Sequence, residues 1–122
     1  MAGFCHSRSM SLDPVDTNPE YYKVLFENDR VRVLEYTDSP GDSTTLHRHP
    51  ESVMYTVSSF RRRLVSGEAH RDVELHAGSV GWLPAQEHRG ENIGDTPSHA
   101  IFVELKQAGP PATSGPLGPQ SG

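Results

Sequence analysis

Turn signals dominate this chain. Asn28-Asp29, Asp38-Ser39-Pro40-Gly41-Asp42, Ser66-Gly67-Glu68, Ala77-Gly78 and Gly94-Asp95-Thr96-Pro97 each break it, at roughly the eight- to twelve-residue spacing of small β-domains. Between the breaks lie short runs with period-2 alternation and many β-branched or aromatic residues: 22–26, 31–36, 53–57, 60–65, 71–75, 80–83 and 98–106. No segment sustains a helical stripe for longer than about two turns. Bundles and βαβ folds are therefore excluded, and an all-β sandwich or barrel is expected. Residues 85–92 are polar and read as a loop. A chain of 122 residues suits one domain with one modest core.

The ends read differently from the middle. Residues 1–16 are polar and aperiodic, a flexible leader, and residues 108–122 are mostly Gly, Pro, Ser and Thr, a disordered tail. The single domain is expected over 17–107. The formal net charge of -5 argues against a nucleic-acid partner, which would need a basic face. No apolar run approaches the roughly 18 residues of a membrane span, and the N-terminus lacks a signal-peptide core. A cytoplasmic location is expected. The single cysteine, Cys5, rules out an intrachain disulfide and reads as a free thiol in the leader.

Chemistry concentrates at Thr45-Leu46-His47-Arg48-His49-Pro50-Glu51. On a strand, residues i and i+2 share a face about 6.6 Å apart, so His47 and His49 can lean toward one ion. Imidazole suits Zn, Fe, Ni and Cu. A third ligand must come from elsewhere. Glu51 is the nearest carboxylate and a candidate fourth ligand, although Pro50 restricts the backbone before it.

Other side chains are weighed by parity. His99 shares a face with Ile101, Val103 and Leu105, the more apolar face of 98–106. It is expected to point inward, as a catalytic acid-base group, a further ligand or a plain core histidine. Tyr55 is a candidate proton carrier, and Trp82 a candidate pocket wall. Arg61 and Arg63 keep the parity of Val53, Tyr55 and Val57. If that face is inner, either arginine could hold a substrate carboxylate through a bidentate pair. His70 and His76 read as surface residues.

Together these residues resemble a known family. Gly41-x5-His47-x-His49 resembles the first cupin motif, and Gly78-x5-Pro84 followed by His88-x3-Asn92 resembles the second. The likeness spans about residues 22–106. The wording of 27–33 and 82–88 is similar to small bacterial cupins that carry the name beta-alanine degradation protein. The resemblance implies a double-stranded β-helix, the cupin jelly-roll barrel, with His47, His49 and His88 holding one divalent metal and Asn92 in a structural role. Fe(II) is the expected ion, with Zn, Ni or Cu as alternatives.

There are two departures. No glutamate stands about four residues after His49, and Gln86 occupies a usual turn-glycine position. The implied function is a three-histidine, dioxygenase-type enzyme acting on a small anionic metabolite. The alternatives are a redox-neutral zinc isomerase, lyase or cyclase, and a non-catalytic binding module. A homodimer is also implied.

Overall fold

The computed structural model describes residues 11–107 and 117–121. Cys5 and most of the expected leader and tail lie outside these residues. One helical turn, α1 (Pro14–Thr17), precedes ten strands: β1 (Tyr22–Glu27), β2 (Val31–Asp38), β3 (His47–His49), β4 (Ser52–Ser58), β5 (Phe60–Ser66), β6 (Ala69–Leu75), β7 (Val80–Leu83), β8 (Gln86–Asn92), β9 (Ser98–Leu105) and β10 (Gln120–Ser121). Each expected run forms a strand. The exception to the reading is 85–92, which is β8 and not a loop. Its alternation is polar because its inner positions are His88, Gly90 and Asn92, all buried.

The strands form two antiparallel sheets, one ordered β1-β2-β9-β4-β7-β10 and the other β3-β8-β5-β6. Their inner faces meet, as the jelly-roll expectation requires. The longest unbroken pairing, β2 on β9, runs from Val31 opposite Leu105 to Asp38 opposite Ser98. The core gathers Tyr22, Leu34, Tyr36, Met54, Phe60, Leu83, Ala100 and Phe102. Each such large apolar side chain contributes about 1.5–3 kcal/mol when removed from water.

The inner face is the opposite of the one expected for three strands. On β4 the buried residues are Ser52, Met54 and Thr56; on β5 they are Phe60, Arg62 and Leu64; on β9 they are Ser98, Ala100, Phe102 and Glu104. The parity linking β4 to β5 holds, but the whole set faces the other way.

Arg62 enters the core as a paired charge. Its Nη1 donates to Asp38 Oδ2 at 2.9 Å and to Tyr36 Oη at 3.0 Å. Tyr36 also donates to Asp38. Asp38 Oδ1 accepts from Asn92 Nδ2 at 3.0 Å and from the Ser98 amide at 3.2 Å. Burial alone would raise the Asp38 pKa, but these bonds and the Arg62 charge hold it below the ordinary value. Asn92 is thus a structural residue. Gly90 lets the guanidinium lie against the strand: a Cβ there would stand 2.2 Å from Arg62 Nη2.

The described residues near each end make specific contacts with the barrel. Asp13 caps α1 by accepting from the Val15 amide at 2.9 Å and pairs with Arg32 at 3.0 Å. The Arg48 amide donates to Leu12 O at 2.7 Å, and the Thr45 amide donates to Asn18 Oδ1 at 2.8 Å. Residues 11–16, expected as leader, therefore brace β3. Of the expected tail, 108–116 lie outside the described residues, while 117–121 return to the barrel. There β10 pairs with β7, Gln120 facing Trp82, and Arg71 donates to Leu117 O at 2.8 Å.

Two outcomes follow from this packing. Gly90→Ala should push Arg62 off Asp38 and cost about 3 kcal/mol, near the value for breaking a buried ion pair. Thermal denaturation would show it, and an unchanged melting temperature would contradict the packing described. A chain ending at residue 116 should melt several degrees lower, because it loses β10 and the apolar cover of Gly118 and Pro119.

Candidate metal centre

The site begins with a three-residue strand. In β3 the pattern is buried, exposed, buried, so His47 and His49 point inward while Arg48 points out to Glu87. Pro50 ends the strand. Because β3 pairs antiparallel with β8, His47 lies directly opposite His88 and His49 opposite Gln86. A ring nitrogen from each of His47, His49 and His88 lies within 4.8 Å of the other two. The three residues are 1%, 1% and 5% exposed, which leaves almost no water to solvate a charge.

The outward nitrogens reveal which atoms are free. His47 Nδ1 lies 2.8 Å from Thr45 O. A carbonyl can only accept, so that nitrogen carries the proton. His88 Nδ1 lies 2.7 Å from Gln86 Oε1. The orientation of the Gln86 amide is set twice over, since its Nε2 donates to Pro84 O at 3.1 Å and its Oε1 accepts from the Gly118 amide at 3.0 Å. His88 Nδ1 is therefore also a donor. In both rings Nε2 is left with a free lone pair. Gln86, which departs from the motif's turn glycine, acquires a role here as the anchor of His88.

Tyr22 closes the cluster from β1. Its hydroxyl lies 3.3 Å from His47 Nε2 and 3.4 Å from His49 Nε2. Phe102 stacks on His49 with ring centroids 5.1 Å apart. Burial raises the Tyr22 pKa well above its ordinary value. Burial also lowers the histidines, His47 to about 4 and His49 and His88 well below 6.5, and the nearby Arg62 charge pushes the same way. All three imidazoles are therefore neutral at pH 7, the form that binds a metal. Three buried neutral nitrogens, two of them fixed by partners on the far side of the ring, fit a divalent transition metal. Between the sheets, beside these rings, lies a cavity of about 30 Å³ bounded by Tyr22, Arg62, Leu64, Phe102 and Pro119, among others.

The remaining candidate residues lie elsewhere. His99 is on the outer side of β9, 2.7 Å from Glu35 Oε2. Tyr55 is 43% exposed on the outer side of β4. Trp82 sits across from Val53 on that same outer side. Arg61 is exposed, and so is Arg63, which pairs with Asp72 at 2.8 Å. None of these five borders the cavity beside the histidines. The structure therefore does not bring these five residues to the histidine cluster. For His99 the error lay in taking the more apolar face of its strand as the inner one. Glu51 is half-buried and is not among the three residues gathered in the cluster. His70 and His76 are exposed, as read.

Three residues that matter to the site escaped the sequence reading: Tyr22, Arg62 and Glu104. Arg62 was within reach of parity once β5 was turned over. Glu104 is the one acid on a strand face shared with Ser98, Ala100 and Phe102, which could have flagged it as a buried, partnered acid. Nothing in the sequence marks Tyr22.

No protein-family model matches the chain, and no curated protein matches it. Among solved structures it is similar to a cupin domain from Bordetella pertussis, with 28% identity over 70% of this chain and 92% of that one and a TM-score of 0.66. It is also similar to a protein with a double-stranded β-helix domain from Klebsiella pneumoniae (24% identity, 72% and 78% covered, TM-score 0.55). The polyketide cyclase RemF from Streptomyces resistomycificus shares the fold at 22% identity, with 73% and 66% covered and a TM-score of 0.56. The fold is therefore the double-stranded β-helix of cupin-domain proteins. The likeness to beta-alanine degradation proteins finds no support here. Among the described residues no helix is long and apolar enough to cross a membrane.

The buried histidines set a pH dependence. Unfolded, His47 takes a proton near its ordinary 6.5; folded, only near 4. The unfolded state thus binds more protons below pH 6.5, and stability falls as pH drops through that window. The slope is about 1.4 kcal/mol per pH unit for each such histidine, so His47 alone accounts for about 3 kcal/mol. Metal-free protein should show its melting temperature falling from about pH 6.5 toward pH 4. The His88→Gln variant should show a shallower fall, and equal slopes would contradict the burial of His88 in neutral form.

Proposed function

We propose that this cupin-type barrel is a metal-dependent enzyme acting on a small anionic metabolite, with Fe(II) as its ion and dioxygen as co-substrate. The observation that carries the reading is the convergence of three buried, neutral imidazoles whose far nitrogens are tied back, for His47 and His88, to fixed acceptors. Bound there, the ion would supply a Lewis-acidic centre with positions left open by only three protein ligands.

The chain's own residues supply the rest. The Tyr22 hydroxyl stands against two of the inner nitrogens and holds a proton that burial keeps in place, so it is placed to hand that proton to a group bound beside the rings. Arg62 takes the anion-binding role expected of Arg61 and Arg63. It is the cation that borders the cavity, and Asp38 occupies only its Nη1. Phe60, Leu64 and Phe102 keep the space dry. This cavity of about 30 Å³ holds little more than one water, whereas an open cleft of about 500 Å³ borders His49 from the side of Leu12, Pro50 and Gln86. Pro119, on the short returning segment 117–121, is the wall held by the fewest strand pairs.

A redox-neutral reaction on zinc is the second reading. A buried phenol beside a Lewis acid suits proton shuffling as well as it suits oxygen chemistry, and the fold also houses a polyketide cyclase.

Elemental analysis of protein purified without a metal-binding tag should find about one ion per chain. His47→Ala, His49→Ala and His88→Ala should each strip it, while Glu51→Gln should leave metal content within a few-fold of the parent. Full metal occupancy in the His47→Ala/His88→Ala double variant would sink the proposal. Oxygen uptake by the Fe(II)-loaded protein over a panel of small carboxylates supports the first reading. Turnover of such compounds by zinc-loaded protein without oxygen supports the second.

A further inference from the structure

Two of the three histidines have their outward nitrogen anchored, on Thr45 O and Gln86 Oε1. The third does not. His49 Nδ1 is buried without a hydrogen-bond partner, and Glu104 Oε2 is buried in the same condition. The two atoms face each other at 3.6 Å, just beyond hydrogen-bond reach. With His49 neutral this is not an ion pair, but a ring and a carboxylate aimed at one another and not yet joined.

Glu104 is fixed in that aim from its other side. Its Oε1 accepts from Arg32 Nε at 3.0 Å and from Arg32 Nη2 at 2.9 Å. The cross-strand register puts Arg32 directly opposite Glu104. Arg32 in turn reaches Asp13 Oδ2 with Nη1 at 3.0 Å. Two carboxylates share one guanidinium behind His49; burial raises the Glu104 pKa above its ordinary value, and the Arg32 charge opposes that rise.

We propose that Glu104 is a positioning residue of the metal centre: it holds the His49 Nδ1 proton, turns Nε2 toward the ion and supplies the negative charge that three neutral imidazoles lack. A carboxylate in this place fixes the tautomer and raises the basicity of the ligand ring. The acid missing after His49 in the sequence is thus replaced from the last long strand, as a partner of a ligand and not as a ligand. This rests on the reading that the three histidines bind metal.

The test uses the full chain and cobalt(II), whose visible absorption reports both affinity and ligand field. In Glu104→Gln the amide oxygen can keep Arg32, but the NH2 then faces His49 Nδ1 and favours the tautomer with its proton on Nε2. Cobalt binding should weaken about 10- to 100-fold, the cobalt spectrum should change, and the rise in melting temperature on saturation should shrink. A merely structural Glu104 would lower the melting temperature equally with and without cobalt, and an unchanged Kd would overturn the proposal. If the variant does not fold, nitrogen-15 NMR of the zinc-loaded parent decides. A downfield, slowly exchanging His49 Nδ1 proton is expected, and one that exchanges as fast as an exposed imidazole overturns the inference. Failure of the parent to bind cobalt or zinc removes the metal reading itself; parent binding matched by Glu104→Gln removes only the role of Glu104.

Discussion

A buried imidazole has two nitrogens to satisfy, and this protein buries three imidazoles in one place. The bonds of His47 and His88 answer that requirement, and His49 is the exception. The outward nitrogen of His47 is met by the backbone two residues earlier, and that of His88 by the side chain two residues earlier. Period-2 spacing on a strand makes both bonds local, so the ligand strands carry their own supports. The inward nitrogens then have only each other and the Tyr22 hydroxyl. Such a cluster of unshared lone pairs is costly in a dry core unless something electropositive enters it.

The same interior holds a second polar group with the opposite character. Arg62, Asp38, Tyr36, Asn92 and Ser98 bond one another and hold β2, β5, β8 and β9 in register. A network of this kind is rigid because its members hold one another through shared hydrogen bonds. The contrast separates the parts of the barrel. The Arg62 network is structural, and Arg62 also borders the cavity. The histidine group is open, and His49 with Glu104 is its least satisfied pair.

The inner and outer faces explain why parity misled. In β9 the outward set is His99, Ile101, Val103 and Leu105, and in β4 it is Val53, Tyr55 and Val57. These are at least as apolar as the inward sets, which contain Ser52, Thr56, Ser98 and Glu104. A barrel that carries a polar site inside reverses the usual hydrophobic-in, polar-out contrast, and alternation then gives the period of a strand without its sign. His88 suffered from the same effect: its strand reads as a loop because its buried positions are a histidine, a glycine and an asparagine.

The resemblance to the two cupin motifs supplied His88 as partner of His47 and His49; from the residues themselves came the all-β class, the strand runs and their turns, and the His47-x-His49 pair. Those features are local, set by turn residues and by the two-residue period of a strand, and so they survive without knowledge of the partners. The direction each strand faces, the passage of the interior cation from Arg61 or Arg63 to Arg62, and the meeting of Tyr22 and Glu104 with the histidines were decided only by tertiary structure. Glu104 lies 55 residues from His49 in the chain and 3.6 Å from it in space. No local preference encodes that distance, because it depends on how two sheets close over one another.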